Sequence, residues 1–184
     1  MTTTTKLATT ALAAITALAV PAAAFAANDF AAHQDLLTAV AETGVRVYIN
    51  PVQCGKENVD GFYISNGPGF FVICQDNAKP GGEQVRWTAN DLDTIRHEAI
   101  HLIQDCKDGR GDNSLQPVIG DAAERSRYVF GALGRKRVKG IIDAYIRRGT
   151  SDHQIHNEVE AFAFAYRAEA SDIATGVRNY CGVK

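Results

Sequence analysis

The stretch His97-Glu98-Ala99-Ile100-His101 places two histidines four residues apart, with a glutamate after the first, the spacing H-E-x-x-H. On a helix, residues four apart lie about 40° apart around the axis and one turn along it, so two imidazoles at this spacing can share one metal ion. The glutamate beside the first histidine can reach a water on that metal and take its proton. The chemistry expected is metal-assisted hydrolysis with Zn2+ as cofactor, His97 and His101 as metal ligands and Glu98 as general base. A catalytic zinc of this kind keeps one position for water, so a third protein ligand has to come from elsewhere in the chain.

The pattern around the motif predicts a helix over 90–106. Thr88 and Asp91 match a capping box, with Asp in place of the usual Glu. At about 100° per residue, Leu92, Ile95, Ala99, Leu102, Ile103 and Cys106 gather on one side, and His97 and His101 fall almost opposite them. One face is therefore expected to pack on a sheet and the other to face a cleft.

The motif resembles that of the zincin metallopeptidases. The residues that follow it, His101-Leu102-Ile103-Gln104-Asp105-Cys106, lack the glycine and third histidine of the metzincin pattern. A second segment, Asn157-Glu158-Val159-Glu160-Ala161-Phe162, resembles the third-ligand helix of the gluzincins. Thermolysin-like enzymes carry N-E-x-x-S-D there, and the membrane prenyl-protein peptidases carry E-x-x-A-D. Asn157, Glu158 and Ala161 match by position, and the resemblance implies that Glu158 is the third metal ligand and that the substrate is a peptide or protein. It covers two short helical segments. Phe162 departs from the pattern, standing where those families have an aspartate that supports a ligand histidine, so that support is unassigned.

The helical phase of this segment gives a separate expectation. Ala161 and Ala165 flank Glu158, whereas Glu160 lies about 200° away, on a polar side with His153, His156 and Arg167. Glu158 is thus expected to point inward, and Glu160, His153 and His156 toward solvent. Tyr166, Tyr128 and Arg125 are unranked candidates for stabilising an oxyanion.

The rest of the chain frames these segments. Residues 1–26 read as a secretory signal peptide. Lys6 is its positive charge, 7–20 an apolar run, Pro21 a break, and Ala24-Phe25-Ala26 supplies small residues before a cut. Residues 27–184 then form a single domain, exported to a periplasmic or extracellular compartment, with no membrane span once the leader is removed. A net charge of −2 carries no basic footprint for nucleic acid. The basic run at 135–139 reads as a solvated helix face.

Four cysteines in an exported chain suggest two disulfides, expected as Cys54–Cys74 and Cys106–Cys181. Helical spacing over 28–42 is followed by strand patterns at 45–50, 61–65 and 69–74, with a turn at 66–69. Further helices are expected at 118–133, 138–148 and 152–170. Strands first and helices after predict an α+β fold with a small antiparallel sheet, whose strand 69–74 could offer an edge to an extended peptide. Two other functions fit the same residues. One is a non-peptidase metal hydrolase, and the other is a disulfide-bonded binding module whose metal is incidental or structural.

Overall fold

The computed structural model describes residues 27–57, 59–110 and 114–182. The expected leader lies outside these residues, as do residues 111–113 after the motif helix. The elements are α1 (Ala27–Glu42), β1 (Arg46–Ile49), α2 (Cys54–Glu57), β2 (Gly61–Ile64), β3 (Phe70–Ile73), α3 (Ala89–Asp108), α4 (Ala122–Ile146), α5 (Asp152–Arg167) and α6 (Ala170–Tyr180). The class is α+β, as expected.

The sheet is mixed and not antiparallel. Its order is β1-β3-β2, with β1 parallel to β3 and β2 antiparallel to β3. The sequence pattern does give strands that reverse direction at each connection. What it does not give is their lateral order. The β2–β3 hairpin inserts β3 between its two predecessors, so β1 meets the strand that runs its own way. For the same reason 69–74 is no edge. β3 is paired on both sides, and the outer strands are β1 and β2.

Helix α3 occupies the centre and packs against α1, α5, α6, β2 and β3. Its start is the capping box anticipated from Thr88 and Asp91. The Thr88 side chain accepts from Asp91 N, and the Asp91 carboxylate accepts from Thr88 N at 2.7 Å. It ends at Gly109, held at φ 102°, a left-handed conformation that glycine adopts without strain. Leu92, Ile95, Ala99, Leu102 and Ile103 join one apolar core with α1, the sheet and α6. A second core lies between α4 and α5, built on Val129, Leu133, Ile141, Tyr145, Ile155 and Val159. The two predicted helices at 118–133 and 138–148 are the arms of α4, which meet at Gly134 (φ 72°, ψ 156°). The helix expected at 152–170 is α5, which ends at Arg167 where Ala168 turns extended; α6 follows from Ala170, where no helix was expected.

Both expected disulfides are present, Cys54–Cys74 and Cys106–Cys181. The first ties α2 to the end of β3, and the second fastens the residue after α6 to the last turn of α3. Among the described residues no helix is long and apolar enough to cross a membrane. In the basic run, Arg135, Lys136 and Lys139 are exposed, Val138 is buried, and Arg137 lies over the Tyr166 ring.

The two cystines close loops of different length, with sequence separations of 20 and 75. Chain-entropy reasoning assigns them roughly 3 and roughly 4.5 kcal/mol. Replacing Cys106 and Cys181 by alanine is therefore expected to destabilise the fold by about 1 kcal/mol more than replacing Cys54 and Cys74. Urea unfolding of the two double variants measures the difference, and the opposite order would contradict the loop-closure account.

Candidate metal centre

On α3, the one-turn offset brings the two histidines together, with His97 Nε2 and His101 Nε2 3.1 Å apart. Helix α5 lies across this face and delivers Glu158, whose Oε2 is 3.3 Å from His97 Nε2 and 3.5 Å from His101 Nε2. All three residues are buried. The histidine side of α3 therefore does not look onto an open cleft, because α5 covers it. Among the described residues His97, His101 and Glu158 are the group whose ligand atoms converge as a metal requires.

The triangle fits a zinc ion. Four-coordinate tetrahedral zinc with ligand bonds of about 2.0–2.1 Å places neighbouring ligand atoms about 3.3 Å apart, and the three edges here are 3.1, 3.3 and 3.5 Å. The donor set of two imidazoles and one carboxylate is one that zinc takes. Glu98 follows His97 on the helix and is 2% exposed. Its Oε2 is buried with no hydrogen-bond partner among the described residues. Gly61 of β2 lies against this part of α3. A Cβ there would stand 2.6 Å from Thr94 Cγ2, 2.8 Å from Val72 O and 3.4 Å from Glu98 Cγ, so only glycine lets β2 approach so closely.

Each charge in the cluster is set by its neighbours. Burial raises the Glu98 pKa, and the adjacent histidines oppose that rise only in part. Burial alone would also raise Glu158, but His101 and His97 outweigh it and hold this carboxyl well below the usual range. For His101, burial pulls the pKa down, yet the Glu158 carboxylate prevails and lifts it to about 9.

Several neighbours escaped the sequence reading. Tyr145, on the second arm of α4, donates from its hydroxyl to Glu158 Oε2 at 2.8 Å. Nothing in its helical pattern singled it out. Gln104 lies 2.8 Å from His101 Nδ1 through its Oε1, and its i, i+3 offset from His101 was a usable signal. Phe162 packs its ring 4.3 Å, centroid to centroid, from that of His97.

The expectation for Glu160 is overturned. It does not face solvent but is 0% exposed, accepting from Val118 N at 2.7 Å, Ile119 N at 2.8 Å and Gln104 Nε2 at 2.9 Å. Segment 114–119 crosses this side of α5 and covers Glu160, while His153, His156 and Arg167 remain exposed. The proposed oxyanion helpers are engaged elsewhere. Tyr166 is exposed beneath Arg137, Tyr128 packs at a tilt against Phe164, and Arg125 donates to Ile119 O.

Because His101 holds its proton up to about pH 9 beside Glu158, a metal has to displace that proton at lower pH. Apparent zinc affinity is expected to rise with pH by up to about tenfold per unit below that value and to level off above it. Chelator competition across the range measures it, and a flat profile would contradict the assignment of His101.

No curated protein and no solved structure matches this chain. One family model does, over residues 23–182, and by that match the chain belongs to the family described as a domain of unknown function, DUF8637.

Proposed function

We propose that this protein is an exported zinc-dependent hydrolase, most simply a metalloendopeptidase. The observation that carries the reading is the convergence of His97, His101 and Glu158 at zinc-like spacing beside the unpartnered Oε2 of Glu98. The resemblance of both helical segments to gluzincins points the same way. Export is supported by the leader-like residues 1–26 and by two disulfides, which persist in oxidising compartments.

When bound, zinc supplies a Lewis acid that polarises a scissile carbonyl and acidifies a water. His97, His101 and Glu158 hold it, and Tyr145 fixes the Glu158 carboxylate by its hydrogen bond. Glu98 takes the proton of the attacking water at Oε2 and passes it to the departing amine as the C–N bond breaks. Its raised pKa suits a group that must both accept and return a proton. The outer edge of β2 has no strand partner and runs beside Glu98, and there an extended peptide would add as a strand.

One observation favours a second reading, in which the zinc is structural and the chain is a binding module. All the ligands and Glu98 are buried, as structural sites are. Glu98→Gln separates the two. If the site is catalytic, the variant is expected to bind one zinc per chain like the parent and to lose at least about 10² in the rate of peptide-library cleavage. Unchanged turnover removes Glu98 as base. A parent that binds zinc but cleaves nothing selects the structural reading, and a parent that takes up no zinc ends both.

A further inference from the structure

The arrangement behind His101 assigns a role to the glutamate that sequence phase had placed in solvent. The side-chain amide of Gln104 has two ends. One end lies 3.1 Å from Asn157 O and 2.9 Å from Glu160 Oε2. A main-chain carbonyl and a carboxylate can only accept, so this end has to be the NH2 group. The opposite end, Oε1, is then fixed toward His101 Nδ1 at 2.8 Å, and it too can only accept.

A neutral imidazole carries one proton. If Nδ1 must donate to Gln104, the lone pair is left on Nε2, the atom that faces His97 and Glu158. Glu160 is itself held by two main-chain donors, Val118 N and Ile119 N. Its oxygens cannot turn away without stranding those groups in a buried site.

The geometry points to Glu160 as a positioning residue that acts through Gln104 to hold His101 in the Nδ1–H tautomer, with Nε2 ready for a metal. This deepens the metal reading and rests on it only where zinc affinity is measured. It also gives His101 a hydrogen-bonded support from α3 itself, while His97, on which Phe162 packs, is not reached by it. Segment 114–119 thereby becomes part of the site, since its amides orient the carboxylate.

The test is a pair of substitutions in the full chain. In Glu160→Gln, one oxygen replaces the two that accept separately from Val118 N and Ile119 N; with that oxygen on Ile119 N, the new NH2 faces Val118 N and Gln104. The Gln104 amide is then drawn to reverse and present NH2 to His101 Nδ1. In the doubly substituted Gln104→Glu/Glu160→Gln, the charge is kept and exchanged. The carboxylate at 104 can only accept from Nδ1–H, and the amide at 160 donates to it.

Long-range proton–nitrogen correlation of the chelated protein, at a pH well above the value of about 9 that Glu158 gives His101, reads the tautomer without any metal. The expected result is Nδ1–H in the parent, a substantial Nε2–H population in Glu160→Gln, and Nδ1–H again in the exchanged pair. Zinc affinity by chelator competition is expected to fall about 10- to 100-fold in Glu160→Gln and to recover in the pair.

If Glu160→Gln does not fold, Gln104→Met gives the same comparison with Glu160 intact, and it too is expected to lose the single tautomer. A parent with Nε2–H at His101, or a Glu160→Gln variant with the parent's tautomer and affinity, overturns the inference. A parent that shows the expected tautomer and its loss on substitution, yet binds no zinc, upholds the relay and sinks the metal reading alone.

Discussion

The contact between α3 and α5 buries polar side chains of both helices, among them His97, His101, Gln104, Glu158 and Glu160. Removing a carboxylate or an imidazolium from water is costly unless other groups replace its hydration, and this requirement shapes what surrounds the two helices. Glu158 meets two histidines and the Tyr145 hydroxyl. Glu160 meets two main-chain amides and Gln104. The second arm of α4 and segment 114–119 thus lie where the buried charges need donors. Segment 114–119 is pinned further, through Gln116 N to Gln104 O and Asn157 Nδ2 to Leu115 O.

Around this polar layer the apolar cores hold the helices at fixed separation. The first, between α1, the sheet, α3 and α6, fixes the far side of the motif helix. The second packs α4 on α5 and so sets where Tyr145 and Glu158 stand. Because interiors are close-packed, neither helix can shift without disturbing its own core. Cys106–Cys181 adds a covalent tie at the end of α3. The three side-chain atoms of His97, His101 and Glu158 are therefore held at 3.1, 3.3 and 3.5 Å from one another by the packing of the helices that carry them.

The segment that resembles the gluzincin third-ligand helix departs from that pattern at Phe162. Phe162 sits on the His97 ring and offers no hydrogen bond, so an aspartate's support is missing from α5. For His101 that support comes from Gln104, one turn further along α3 itself. His97 Nδ1 is buried with no partner among the described residues. The two histidines are thus held by different means, one by a hydrogen-bonded amide and one by an aromatic face.

Features set by local periodicity were legible in the sequence. The H-E-x-x-H helix, its capping box, the apolar side of α3, the two disulfides and the α+β class all follow from residues a few positions apart or from cysteine count and placement. The same arithmetic puts Glu158 and Glu160 on different sides of α5, and it is right about that. It cannot say that both sides are covered, because burial depends on what packs there, and that is decided by a loop and a helix arm distant in the chain. Strand direction was readable, whereas the insertion of β3 between β1 and β2 was not. Tyr145 and Glu160 reach the site only through tertiary packing: a helical period fixes which residues share a face, but only the folded chain determines what that face meets.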